Sequence, residues 1–238
     1  MINIGQQVAD FFLSLITWLP GLAIGVILHE YAHGYIAFKS GDPTAKNYGR
    51  LTVNPMAHID LFGSILLPIL LILLNSSIIF GYAKPVPINP GYFNDYRKGM
   101  RYTSLAGPVT NLLVAFAVGL IYGLFFWLVI RISGGFSDTS SAGFQVFSVF
   151  NQLLQNTIYI NIFLAIFNFL PIPPLDGSKI LASFLPDNAM YRFLAIGRYG
   201  FFFIFIFLFL GGRIFWTVIS PVFNFLYNIA TWWQFLLN

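Results

Sequence analysis

Two of the chain's three histidines lie four positions apart, and the only glutamate stands between them, in the run His29-Glu30-x-x-His33. Residues i and i+4 share one face of a helix, so the two imidazoles can point at the same zinc ion. Glu30 would stand beside that ion and could take a proton from a water molecule. The spacing therefore predicts a zinc centre with His29 and His33 as ligands and Glu30 as general base.

The motif follows an uncharged run, Phe11–Leu28. An ionisable cluster at the end of such a run is costly to place in a membrane, and by default it marks a functional site. The alternative is a chance match, which is a serious rival on soluble helices, where glutamate and histidine are common. Both residue types are nearly absent elsewhere in this chain, so the metal site is the better interpretation.

A catalytic zinc ion usually has three protein ligands and one open position. The candidates for the third ligand are His58, Asp60, Asp95, Asp176 and a few other loop aspartates. Asp176 is favoured because it follows a long apolar run and a proline-rich break, which no regular helix can cross. The alternative for Asp176 is a plain turn residue, since Pro-x-Asp-Gly is also good turn chemistry.

The composition indicates an integral membrane protein. The chain is 58% hydrophobic and only 8% charged, whereas soluble domains carry about 25% charged residues. The net charge of +4 arises from few charges, so it reflects basic loops and not a nucleic-acid surface. Cysteine is absent from the sequence, which excludes disulfides and thiolate zinc ligands.

The long apolar runs predict one all-α, polytopic membrane domain over residues 1–238, with about five or six transmembrane helices. Its motif-bearing core covers about residues 11–177, and C-terminal helices cover about 190–238. The first helix should continue to about Phe38, where Gly41-Asp42-Pro43 ends it. A later helix should stop near Leu170. Two less regular segments are expected: a short re-entrant or β-hairpin segment near residues 45–60, and a re-entrant segment at 61–83.

Basic residues indicate how the chain is oriented in the membrane. Most of them fall in three segments, 39–60, 84–101 and 176–198. These segments hold ten of the twelve basic residues: Lys39, Lys46, Arg50, Lys84, Arg97, Lys98, Arg101, Lys179, Arg192 and Arg198. By the positive-inside rule the segments lie on the cytoplasmic side, and the proposed zinc ligands lie with them.

Three further polar residues have two or more interpretations. His58 could be a second-shell partner, an extra ligand or a loop histidine bonded to a backbone carbonyl. Asn168 could donate to a substrate carbonyl or form an interhelical hydrogen bond. Asn111 has the same two interpretations, and the small residues before it, among them Gly107, would let its helix pack closely against the catalytic helix.

In these motifs the chain resembles the site-2 protease family of intramembrane zinc metalloproteases, peptidase family M50. The resemblance rests on His29-Glu30-x-x-His33, Gly107-Pro108-x-x-Asn111, and Asn168-x-x-Pro171 leading to Leu175-Asp176-Gly177. The stretches Gly49-Arg50-Leu51, Asn54-Pro55-x-x-His58 and Lys84-Pro85-Val86-Pro87 resemble its compact prokaryotic branch, without PDZ and CBS domains. The resemblance implies that His29, His33 and Asp176 bind zinc, that Glu30 is the base, that Asn168 polarises the scissile carbonyl and that Asn111 holds substrate.

We therefore expect an intramembrane endopeptidase of the cell membrane with one catalytic Zn²⁺ ion. It would hydrolyse peptide bonds of membrane proteins whose transmembrane helix can unwind, within or next to the bilayer. Substrate could be held in extended form by a strand at 45–54. Two alternatives are a divalent-metal transporter and a catalytically inactive protein that binds membrane helices. The sequence indicates no nucleic-acid partner and leaves the oligomeric state open.

Overall fold

The computed structural model describes residues 4–66, 70, 83–133 and 141–236, and within these ranges every regular element is helical. The predicted all-α class is therefore confirmed for this part of the chain. The α-helices are α1 (Ile4–Lys39), α2 (Thr44–Asn47), α3 (Tyr96–Ser133), α4 (Ala142–Phe169), α5 (Asp176–Ala182), α6 (Asp187–Ala195) and α7 (Gly200–Ala230). Short 3-10 turns cover Pro55–Ala57, Pro90–Tyr92, Ile196–Tyr199 and Trp232–Leu236, and one π-helical turn covers Leu61–Leu66.

Among the described residues, two helices are long and apolar enough to cross a membrane, through Phe11–Lys39 of α1 and Tyr96–Ile132 of α3. Helices of this length and composition agree with the predicted membrane protein. The number of five or six spans stays a prediction. The expected re-entrant segment at 61–83 lies mostly outside the described residues, which cover only 61–66, 70 and 83 of it.

The first helix ends where the sequence predicts. Gly41 has a φ of 109°, which glycine adopts without the steric cost of a side chain. The backbone N–H of Gly41 donates to the Phe38 carbonyl at 3.2 Å, and that of Asp42 donates to the Ala37 carbonyl at 3.0 Å. This pair of bonds is a Schellman cap, and it stops α1 at Lys39, one residue beyond the predicted end.

The predicted β-hairpin near residues 45–60 is wrong, since the structure describes all of these residues and none is a strand. The carboxylate of Asp42 accepts from the Thr44 N–H at 2.9 Å and also from the Thr44 hydroxyl, which starts the helical turn α2. Gly49, with a φ of 65°, ends that turn, and the Arg50 N–H donates to the Ala45 carbonyl at 2.9 Å. Local caps therefore bind the backbone groups that a hairpin would have paired across strands, and the proposed strand for substrate is absent.

The described chain divides into two compact units. The first contains Met1–Gly25, Pro108–Leu170 and Gly197–Asn238, and the second contains Val26–Gly107 and Pro171–Ile196. The single-domain prediction is not tested by this division and stays a prediction. One uncertainty of the sequence is resolved in the first unit: α7 runs through Arg213 without a break.

The first unit has an apolar core with one polar layer. Ile158 and Ile162 of α4 are fully buried, one helical turn apart. The ring of Tyr122 meets that of Trp233 edge to face, with centroids 4.7 Å apart. Between the isoleucines lies Asn161, which is also fully buried. A buried amide needs hydrogen-bond partners, so α4 packs where Asn161 can bond to its neighbours, among them Asn111 of α3.

In the second unit, Arg97 joins the start of α3 to the segment between α5 and α6. Its Nη1 donates to the carbonyl oxygens of Ser183 at 3.1 Å and of Leu185 at 2.6 Å, and its Nη2 lies 2.6 Å from the Asp187 carboxylate. The guanidinium of Arg101, one turn later, lies 3.8 Å from the centre of the Phe184 ring. These contacts hold α5, which begins with Asp176, against α3.

Candidate metal centre

The second unit brings together the three residues predicted as zinc ligands. His29 and His33 occupy successive turns of α1, and their Nε2 atoms lie 2.9 Å apart. The Oδ2 atom of Asp176, at the start of α5, lies 3.2 Å from His29 Nε2 and 3.0 Å from His33 Nε2. All three residues are buried, and one ligand atom from each lies within 4.8 Å of the others. The structure thus places Asp176 beside two histidines that precede it by more than 140 residues.

The donor set of two imidazole nitrogens and one carboxylate oxygen fits a catalytic zinc ion. The second ring nitrogen of His33 supports this fit, because Nδ1 lies 2.6 Å from the Thr103 carbonyl oxygen. A carbonyl oxygen can only accept, so Nδ1 carries the proton and donates it there. The lone pair of His33 is then on Nε2, the atom that faces Asp176, as a zinc ligand requires.

Lys179 determines which oxygen of Asp176 faces the histidines. The Lys179 Nζ lies 3.0 Å from Asp176 Oδ1, so the other oxygen, Oδ2, is left toward His29 and His33. The ammonium group of Lys179 also favours the ionised form of this carboxyl group, and metal binding needs that form.

Gly107 of α3 leaves room for both imidazoles. A Cβ atom built at this position would lie 2.5 Å from His29 Cε1 and 2.5 Å from His33 Nε2, well inside van der Waals contact. The backbone of α3 therefore approaches both imidazoles so closely that only glycine, whose side chain is a hydrogen atom, fits at position 107. This confirms the expectation that small residues before Asn111 let this helix pack against the catalytic one.

Glu30 lies beside the three ligands in sequence, but its side chain has a different partner. Its Oε2 accepts a hydrogen bond of 2.8 Å from the backbone N–H of Val86. Val86 is buried and belongs to a segment without regular secondary structure, residues 83–89. Sequence reasoning missed this contact because a backbone donor has no residue-type signature; the neighbouring prolines are the one signal that could have indicated it.

His58 makes the contacts of a loop histidine. It is buried, its Nε2 lies 2.8 Å from the Thr52 carbonyl oxygen, and its own carbonyl accepts from the Lys84 N–H at 2.9 Å. His58 is not part of the ligand cluster found among the described residues. The structure therefore favours the interpretation of a histidine bonded to the backbone over that of an extra ligand.

The two asparagines with proposed substrate roles lie in the first unit. Asn111 is fully buried, and its Nδ2 donates to the Gly25 carbonyl at 3.1 Å and to Asn161 Oδ1 at 2.9 Å. This is the interhelical hydrogen bond of the second interpretation. The Nδ2 of Asn168 donates to the Leu164 carbonyl, one turn earlier, at 2.9 Å. Their roles toward substrate stay predictions, and Asn161, which the sequence analysis did not name, is the partner that links Asn111 to α4.

Comparison with known proteins agrees with this centre. The family model described as "Peptidase family M50" matches residues 17–210. The chain is 38% identical over 215 residues to "Putative zinc metalloprotease YwhC" of Bacillus subtilis, which covers 87% of this chain and 88% of that protein. It is 29% identical over 196 residues to "Putative zinc metalloprotease Rip2" of Mycolicibacterium smegmatis, which covers 82% of this chain and 66% of that protein. No solved structure matches the chain.

Proposed function

The chain belongs to peptidase family M50 and is a zinc metalloprotease, and we propose that it cleaves membrane-protein substrates within or next to the lipid bilayer. One observation carries this proposal. The helix that bears His29 and His33 is itself apolar and long enough to cross a membrane, through Phe11–Lys39. Buried metal ligands on such a helix support reacting groups at membrane depth, where the peptide bonds of a transmembrane substrate would lie.

The residues of the centre divide the chemistry among them. His29, His33 and Asp176 would hold the ion, which when bound supplies Lewis-acid polarisation and eases deprotonation of water. Glu30 acts as general base: its carboxylate takes a proton from the attacking water and passes it to the leaving amine. The Thr103 carbonyl binds the His33 tautomer whose Nε2 is free to bind a metal ion. Lys179 binds Oδ1 of Asp176, so that Oδ2 faces the two histidines.

The substrate must present its scissile carbonyl, which an intact helix keeps hydrogen-bonded within itself. The proposed substrates are therefore membrane proteins with a transmembrane helix that unwinds locally. Membership in a peptidase family favours this function over the two alternatives, a metal transporter and an inactive helix-binding protein.

We place the centre toward the cytoplasmic side of the membrane. The proposal rests on the basic side chains of the second unit, which include Lys46, Arg97 and Arg101. Lysine and arginine accumulate in cytoplasmic segments of membrane proteins. Cysteine accessibility tests this orientation, because the chain has no cysteine of its own. A Tyr48→Cys variant, at an exposed position of the second unit, should react with a membrane-impermeant maleimide only after the cell is opened.

The main experiment compares the wild type with Glu30→Gln in cells that lack other copies of the chain. In the Glu30→Gln strain we expect full-length membrane proteins to accumulate, and labelling of new N-termini in the wild type should locate the cuts within or beside transmembrane segments. The purified variant should still hold one zinc ion. Asp95→Asn, the same change at an exposed carboxylate on the surface of the second unit, serves as the control. Cleavage by Glu30→Gln at the wild-type rate would exclude the base, and cuts confined to soluble domains would exclude intramembrane action.

A further inference from the structure

We propose that Val86 is a positioning residue for the general base: its backbone N–H, framed by Pro85 and Pro87, orients the Glu30 carboxylate for proton transfer. The inference rests on the proposed function, in which Glu30 is the base. The contact itself is a hydrogen bond of 2.8 Å from Val86 N to Glu30 Oε2. An N–H that donates to a carboxylate is among the stronger hydrogen bonds in proteins.

The bond restrains a side chain that would otherwise be mobile. Glutamate has three rotatable side-chain bonds, and Glu30 is only half-buried on α1. The Val86 N–H engages one carboxylate oxygen, Oε2, so the other oxygen is turned to a defined direction. A base must lie within hydrogen-bond reach of the proton that it removes, and small displacements of reacting groups are costly in rate.

Within residues 85–87, Val86 is the one residue that can supply this donor. Proline has no backbone N–H, and prolines stand on both sides of Val86 in the sequence Lys84-Pro85-Val86-Pro87. A shift of the segment by one residue in either direction would therefore present no donor to Glu30. Proline also favours extended backbone in the residue before it, and residues 83–89 form no regular secondary structure.

The segment is anchored on both sides of Val86. On one side the Lys84 N–H donates to the His58 carbonyl at 2.9 Å, and the Lys84 carbonyl accepts from Arg50 Nη2 at 2.8 Å. On the other side the Asn89 N–H donates to Asp42 Oδ2 at 2.7 Å. Asp42 is fully buried. Asp42, Arg50 and His58 are not ligands of the zinc centre. Through these three anchors they share one role, which is to hold the Val86 N–H against the base.

The test removes one N–H without changing a side chain. Replacing the amide of Val86 by an ester, with the α-hydroxy analogue of valine, deletes the donor to Glu30. The same replacement at Lys98, whose N–H donates to the exposed carboxylate of Asp95 at 3.0 Å, is the matched control. With a reporter membrane protein that the wild type cleaves, we expect the Val86 ester to lower kcat about tenfold. Its KM should stay within about twofold and its zinc content at one ion, and the Lys98 ester should keep the wild-type kcat.

A spectroscopic readout checks the contact without any turnover. Glu30 is the only glutamate in the chain, so cell-free synthesis with ¹³C-labelled glutamate gives one labelled carboxylate. Its infrared stretching band should shift in the Val86 ester and stay in place in the Lys98 ester. Val86→Ala, which keeps the N–H, should keep the band position of the wild type.

The outcomes separate this inference from the proposed function. An unchanged kcat and an unchanged band in the Val86 ester, with Glu30→Gln inactive, would overturn the inference alone. An equal fall of kcat in both esters would also overturn it, since the loss would then not be specific to the contact with Glu30. A zinc-loaded wild type that cleaves no membrane protein would overturn the proposed function, whereas the infrared comparison would still report on the contact.

Discussion

The ammonium group of Lys179 and the Oδ1 atom of Asp176 lie 3.0 Å apart, one turn of α5 from each other. This bond engages Oδ1, and Oδ2 is the oxygen that faces His29 and His33. We expect Lys179→Met to weaken zinc binding by about tenfold, the lower end of the effect of losing a hydrogen-bond partner of a metal ligand. Competition with a fluorescent zinc chelator measures the dissociation constant.

The matched control for Lys179 is Lys98→Met. Lys98 forms a similar i,i+3 pair with Asp95, but both side chains are largely exposed and neither belongs to the ligand cluster, so zinc affinity should not change. Tighter zinc binding by the Lys179 variant would contradict the prediction. It would mean that the positive charge of the lysine repels the ion more than its hydrogen bond orients the ligand.

Gly107→Ala should remove zinc from the centre. The added methyl group would lie 2.5 Å from ring atoms of both His29 and His33, so the imidazoles must move apart or α3 must retreat. We expect the zinc content of the purified variant to fall well below one ion per chain, measured by plasma mass spectrometry. Gly119→Ala is the control, because its methyl group would collide with the Ala230 backbone in the first unit. The control should lower the melting temperature and keep its zinc.

Arg97→Met should destabilise the second unit. It removes two hydrogen bonds to backbone carbonyls, at Ser183 and Leu185, and a pair with the exposed carboxylate of Asp187. Solvent screens the exposed pair, so the two partly buried hydrogen bonds to the carbonyls dominate, and the expected loss is about 1–3 kcal/mol. Thermal unfolding in detergent measures it, with Lys98→Met as control. A melting temperature equal to that of the control would show that water replaces the arginine without cost.

Asn161→Ala should lower stability without changing zinc binding. The change deletes the acceptor of the Asn111 amide in the first unit, and hydrogen bonds between membrane helices contribute about 0.6–1.7 kcal/mol. The melting temperature should therefore fall, while the zinc content stays at one ion. Asn188→Ala, at an exposed position of α6, should change neither quantity. Loss of zinc in the Asn161 variant would show that the polar layer around Asn161 affects zinc binding at the centre.

Zinc removal should lower the melting temperature of the wild type, because an ion that binds only the folded chain stabilises it. The expected result is a lower melting temperature after treatment with a chelator and full recovery after zinc is added back. His33→Ala should melt at the temperature of the chelated wild type, and the chelator should have no further effect on it. A variant that still responds to the chelator would place the stabilising ion elsewhere.

Much of the centre follows from the sequence because its parts obey local rules. The i, i+4 spacing fixes His29 and His33 on one helix face whatever surrounds them. The proline-rich break ends α4 and delivers Asp176 to the start of a new helix, so the third ligand could be chosen from residue types and helix stops alone. Gly41 likewise marks the end of α1, since few other residues adopt its backbone conformation.

The remaining contacts depend on tertiary structure. Thr103 and Val86 act through backbone atoms, which every residue type possesses, so their identities do not reveal them. The hairpin prediction failed for a related reason: residues 45–54 have strand-like side chains, but the Asp42 side chain and Gly49 cap a helical turn there. Side-chain propensity could not foresee which backbone groups those caps would bind.

The distance in sequence between the ligands also determines the order in which the nascent chain acquires them. A ribosome makes His29 and His33 early, but Asp176 follows His33 by 143 residues. During that interval the chain can offer zinc two imidazoles and no carboxylate from α5. The protease therefore cannot complete its centre until Asp176 has been synthesised, and shorter, unfinished chains carry the base without a complete set of zinc ligands.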